Sequence, residues 1–177
     1  MNRHYTAEHF LNLVRMIRHY MPRAGISTDI IVGFSGETED QFQNTLRVAR
    51  EAKFDLSYTS MYSERKETYA GRFFKDDISK SIKSRRYHEL NDMIRQSSLM
   101  NNRMYLGETW EVLVDNIEQG IAIGKTRTNR TVRFQPDVTT KPGDFVMIEI
   151  TKAKEWVMEG NIVPNFYAYS RELQDRS

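Results

Sequence analysis

The sequence predicts an α/β segment built on a parallel sheet, followed by a small all-β barrel of the OB type. Apolar residues first recur at helical spacing, in alternation with short β-branched runs, and beyond about Leu106 their period changes to two. The length of 177 residues is enough for one or two domains with a real core.

Phe10, Val14, Ile17 and Met21 mark an amphipathic helix over 6–20, with Thr6 as its N-cap and Pro22 just past its end. Ile26 to Val32 is rich in β-branched residues and apolar on both sides at its far end, which predicts a parallel strand covered on two faces. The chain then turns at GFSGET, and Thr38 with Gln41 forms a capping box for a second helix carrying Phe42, Leu46 and Ala49. Leu56 to Tyr62 favours a strand, Ser63 to Asp77 reads as a long loop, and Ser79 to Tyr105 as one long helix ended by Gly107. Five short strands follow: Trp110 to Val114, Ile121 to Ile123, Val132 to Phe134, Phe145 to Ile150 and Trp156 to Ile162. The organisation is thus an α/β segment over 1–78, a connecting helix over 79–106, a barrel over 107–164 and a tail over 165–177.

Composition narrows the function. With 39% hydrophobic and 28% charged residues the chain is neither disordered nor membrane-spanning, and no apolar run approaches the roughly 20 residues a bilayer helix needs. No membrane partner is therefore expected. Zero cysteines exclude a disulfide scaffold, a thiolate nucleophile and any thiolate-held zinc or iron–sulfur site within the chain. The four histidines are scattered without metal-ligand company, so neither a metal site nor a catalytic constellation is expected. The basic residues Lys83, Arg85, Arg86, Arg95 and Arg103 read as a solvated helix face.

The formal net charge is only +2, but Gly120 to Gln135 holds Lys125, Arg127, Arg130 and Arg133 with no acid. In GKTRTNR the bases alternate with Thr126, Thr128 and Asn129, so a twisted hairpin can gather cations and short hydrogen-bonding side chains on one face. That combination suits a nucleic-acid phosphate; the competing reading is a solvated charged hairpin. By pattern alone Ile31 and Gly33 are core and turn, and Arg65 is a solvated cation.

The segments MNRHYTAEHFLNLVRMIR, ISTDIIVGFSGETEDQFQNTL, YSERKETYA and GKTRTNRTVRF, in this order, resemble the C-terminal part of radical SAM methylthiotransferases, most closely the MiaB-type enzymes that modify tRNA. The resemblance implies that 1–78 is the last part of a radical SAM partial TIM barrel and 107–164 a TRAM domain. It also implies that the chain is the C-terminal portion of a longer enzyme. Such an enzyme uses S-adenosylmethionine and two 4Fe–4S clusters to add a methylthio group at C2 of an isopentenyl-modified adenosine near the anticodon. By the same resemblance Ile31, Gly33 and Tyr62 contact S-adenosylmethionine. Arg65, Lys125, Arg127, Thr128, Asn129, Arg130 and Arg133 contact the substrate, which the TRTN string makes tRNA rather than the ribosomal protein modified by related enzymes.

YSERKETYA departs from the family's YSPRPGTPA, so its loop is expected to be less rigid. Partners are then tRNA and the methylthiotransferase and cluster-binding regions upstream, and the setting is cytoplasmic. Alone, the chain is expected to bind no cluster, to be inactive, and to self-associate through its incomplete barrel. An RNA-binding module without chemistry and the related ribosomal-protein methylthiotransferase are the alternatives.

Overall fold

The computed structural model describes residues 4–163; the expected tail at 165–177 lies outside them. The element order is α1 (Ala7–Tyr20), β1 (Ser27–Val32), α2 (Glu39–Ala52), β2 (Leu56–Met61), α3 (Tyr69–Phe73), α4 (Lys80–Arg103), β3 (Thr109–Glu118), β4 (Ile121–Thr126), β5 (Thr131–Phe134), β6 (Phe145–Ala153) and β7 (Met158–Ile162). The described residues divide into two compact units between Ser98 and Leu99. The division falls inside α4, whose last turn belongs to the second unit.

In the first unit, Thr6 caps α1 by accepting from the His9 amide, and Thr38 and Gln41 close the reciprocal capping box of α2. Strands β1 and β2 pair in parallel from Ser27↔Leu56 to Val32↔Met61. Leu11, Val14, Val32, Phe42, Leu46, Ala49, Phe54, Leu90 and Ile94 form one core, which the helices build against the Ile30 and Val32 side of the sheet. The opposite face is open: Asp29, Ile31, Tyr58 and Ser60 are all exposed. The expectation of a strand covered on two sides is corrected here. A β-branched run shows that a strand can be buried on both faces, but whether a second layer is present depends on other parts of the fold. The stretch Ser63 to Asp77, expected as loop, contains the short helix α3, capped by Thr68.

In the second unit the five strands close in the order β3-β4-β5-β7-β6, with β3 pairing β6. All pairings are antiparallel except β5 with β7. Val112, Val114, Ala122, Val132, Phe134, Ile148, Ile150 and Met158 fill the interior, together with Tyr105 from the segment after α4. Every second residue of each strand supplies this core, which is the alternation visible in the sequence. At Gly124 a Cβ would lie 2.2 Å from the Leu113 carbonyl oxygen, so only glycine permits this approach of β3 and β4. No helix among the described residues is long and apolar enough to cross a membrane.

Candidate functional site

Parallel strands place ligands beyond their carboxyl ends, and in the first unit a cavity of about 1030 Å³ lies there. Ile31, Phe34, Met61, Tyr62, Tyr69 and Phe74 give it an apolar, largely aromatic wall, and Ser60, Ser63, Arg65 and Thr68 line it with polar groups. Phe34 stands edge-on to Tyr62 at 4.9 Å and to Phe74 at 6.3 Å between ring centroids. Arg65 itself is exposed. Its carbonyl accepts from the Thr68 amide at 2.9 Å and the Thr68 hydroxyl at 2.8 Å, so hydrogen bonds tie the turn that lacks the family's prolines. Gly71 is required beside it, because a Cβ there would meet the Arg65 oxygen at 2.1 Å.

Of the three residues that the resemblance implies for S-adenosylmethionine, Ile31 and Tyr62 line this cavity. Gly33 is not among its lining residues. It is buried, with φ +71, and its amide donates to Glu37 Oε2 at 2.7 Å. Any Cβ on it would strike the Lys83 stem at 2.4 Å. Its need for glycine is therefore set by the backbone turn and by Lys83.

Lys83 and Arg86 are the residues that sequence reasoning missed. Expected on a solvated face, both are buried. Lys83 Nζ reaches both Asp76 carboxylate oxygens at 2.6 Å and the Tyr62 carbonyl at 3.0 Å, and sits 5.3 Å from the Tyr62 ring centre. Arg86 Nη1 donates to the Glu37 carbonyl at 3.0 Å and to Glu37 Oε2 at 2.7 Å, the oxygen that also accepts from Gly33. One cation thus fixes the exit of β2 and the other the turn after β1, so the cavity rim is held from α4. The signal was spacing: Lys83 and Arg86 continue the buried stripe of Leu90 and Ile94 at intervals of three and four.

Beside this pair, Glu39 accepts from Arg85 Nη2 at 2.6 Å and from Arg86 Nη2 at 3.3 Å, and its carboxyl is lowered from 4.5 to about 2, chiefly by the Arg85 hydrogen bond and then by Gln43. A lowered carboxyl pKa contributes stability above pH 4.5 that is lost as pH falls through about 2. A carboxyl-carbon NMR titration should therefore place the Glu39 midpoint near 2 in the wild type and raise it in Arg85→Ala, though not fully to the ordinary glutamate value, because Gln43 and Arg86 still donate to it. A wild-type midpoint near 4.5 would show that the bridge does not persist in solution.

In the second unit the basic string lies on and between β4 and β5. Lys125 pairs with Thr131 and Arg133 with Ile123, so Lys125 and Arg133 are exposed diagonal neighbours on the outer face of the hairpin. Arg127 is exposed in the turn and its Nε donates to Glu111 at 2.8 Å. Asn129 takes the left-handed φ of 62 that the turn demands and accepts from Lys125 Nζ at 3.3 Å. Thr128 faces inward, within 3.2 Å of the Tyr105 hydroxyl and 2.9 Å of Thr126 Oγ1.

Arg130 is separated from this outer set. It is buried, its Nη1 donates to Asn102 Oδ1 at 2.7 Å, and its guanidinium lies 4.9 Å from the Tyr105 ring centre. Thr126 Oγ1 accepts the Arg130 amide at 3.1 Å, so Thr126, Thr128 and Arg130 brace the turn from within. The outer face keeps Lys125, Arg127 and Arg133, a geometry suited to phosphate oxygens. Among the described residues no group of three His, Asp or Glu side chains could hold a metal ion.

The family model described as TRAM domain matches residues 103–163. The tRNA-2-methylthio-N(6)-dimethylallyladenosine synthase of Desulforamulus reducens is 39% identical over 168 residues, which cover 93% of this chain and 36% of that protein. The protein of the same description from Bacillus cytotoxicus is 40% identical over 166 residues, or 92% of this chain and 32% of that protein. That from Oceanobacillus iheyensis is 39% identical over 168 residues, with 93% and 32% covered. Over nearly its whole length the chain is thus similar to the tRNA-2-methylthio-N(6)-dimethylallyladenosine synthases, of whose length it spans about a third, and its residues 103–163 match the TRAM domain.

Proposed function

We propose that this chain works as part of a tRNA methylthiotransferase, in which residues 1–78 are the last βα units of a radical SAM partial barrel and 107–164 bind tRNA. Residues 79–106 connect the two. The observation that carries this reading is the identity of about 39% over nearly the whole chain to proteins named for that tRNA product. The cavity at the ends of β1 and β2 supports it, since its aromatic and aliphatic wall suits a nucleoside. Ile31 and Tyr62 would hold the adenosyl group of S-adenosylmethionine, Gly33 would serve from behind through Lys83, and Arg65 would meet the substrate side. When bound, that cofactor would supply the radical chemistry for hydrogen removal at C2 of the isopentenyl-modified adenosine.

An iron–sulfur cluster does not fit this chain, because thiolates hold such clusters and the sequence has no cysteine. The redox step is assigned to thiolates outside these residues, in the setting of the cytoplasm. The open face and free edges of the β1–β2 sheet are where the other barrel strands would add, and the same edges would recruit a second copy when the chain is alone.

Binding of tRNA by the barrel is tested by its salt dependence. Each phosphate contact to a single strand contributes about 0.7 to the slope of log K against log salt. Replacing Lys125, Arg127 and Arg133 together by Ala should lower the magnitude of the slope by roughly 2 for three lost contacts. An unchanged slope and affinity would show that this hairpin face is merely solvated.

A further inference from the structure

The outer face of the barrel carries an apolar ledge beside its cations. Leu113 on β3 stands directly opposite Lys125 on β4 and directly opposite Phe145 on β6. Residues opposite each other in antiparallel strands project to the same side, so Lys125, Leu113 and Phe145 form one row across three strands. Their neighbours Val112, Val114 and Thr126 are buried inside the barrel, which fixes this row as outward. Phe145 is 50% exposed and Leu113 36%. With strands about 4.8 Å apart, the Phe145 ring lies on the order of 10 Å from the Lys125 strand position, a separation that one nucleotide can span. Neither residue is needed outside for the core, which is complete without them.

We propose that Phe145, backed by Leu113, is a stacking platform for one unpaired base of an RNA whose backbone is held by Lys125, with Arg133 diagonal to it. This rests on the reading of the barrel as an RNA-binding domain and specifies the form of RNA it takes: a splayed single strand. The chemistry is a π-face with an aliphatic support next to a cation, which is how sequence-tolerant single-strand sites combine stacking with phosphate contact. The ledge is one ring and one leucine wide. It matches a base in size, whereas a protein partner would need an interface of about 1,000 Å².

The test is equilibrium binding of a short oligoadenylate by the full chain at several salt concentrations. Phe145→Ala should weaken binding by about 5- to 150-fold, the range of one lost base stack. The salt slope should not change, because no phosphate contact is lost. Phe145→Trp should restore affinity, and a duplex of the same length should be insensitive to both substitutions. Lys125→Ala is the control, expected to reduce the slope by about 0.7. If Phe145→Ala bound like wild type while Lys125→Ala lost slope, the platform would be wrong and the RNA-binding face right. If neither changed binding, both would fall. Since Phe145 lies outside the core, an unchanged far-ultraviolet circular dichroism spectrum and unfolding midpoint verify that each variant is folded.

Discussion

Replacing Arg86 by Met is expected to destabilise the first unit by about 3–5 kcal/mol, the cost of breaking a buried ion pair and leaving one charge behind. The Arg86 side chain is 4% exposed and that of Glu37 only 12%. Without the guanidinium, Glu37 keeps the Gly33 amide as a donor but loses its counter-charge at 2.7 Å, and the Glu37 carbonyl loses a donor at 3.0 Å. The stack of Arg86 over the Phe42 ring, 5.3 Å from its centre, is lost as well. Both tryptophans lie in the second unit, whereas most of the helix lies in the first. Far-ultraviolet circular dichroism should therefore lose its signal at much lower urea, while the tryptophan fluorescence transition stays in place. Coincident transitions in wild type and variant alike, at unchanged urea, would show that the pair contributes nothing net. The double replacement Glu37→Gln with Arg86→Met should recover part of the loss, because no bare carboxylate then remains.

Arg130→Ala should have the reverse signature, lowering the fluorescence transition and sparing the helical signal. Its hydrogen bond to Asn102 and its stack on Tyr105 are both desolvated. A charge-assisted hydrogen bond is worth about 1.5–3 kcal/mol and a desolvated cation–π contact about 2, so a loss of about 3.5–5 kcal/mol is expected. Arg130→Lys should recover little, since an ammonium offers neither the planar stack nor the fork. The same variants separate support from contact. Measured below its unfolding transition, the Ala variant, which carries no charge, should keep the wild-type salt slope for tRNA if Arg130, buried and bonded to Asn102, braces the turn from within. A slope reduced by about 0.7 would place Arg130 on the RNA after all.

Much of this protein was legible before folding because the signals are local. Thr6 caps a helix with the amide three residues on, Thr38 and Gln41 cap each other, and alternation in Trp110 to Val114 or Val132 to Phe134 follows from the pleat. The motif strings carried the resemblance, but of Lys125, Arg127 and Arg130, expected to share a hairpin face, Arg130 is buried, and the meeting of Lys125 with Arg133 comes from the register of β4 and β5. Tertiary structure decided which of the cations are solvated. Lys83, Arg86 and Arg130 have the same residue types as their exposed neighbours, and although spacing marks the first two, what permits their burial is acceptors brought in by the fold: Tyr62 lies 21 residues from Lys83, Glu37 49 from Arg86 and Asn102 28 from Arg130. A charge can be buried only where partners converge on it, and convergence over such distances is a property of the packed fold. The same holds for Leu113 and Phe145, whose alignment with Lys125 exists only once three strands have taken their register.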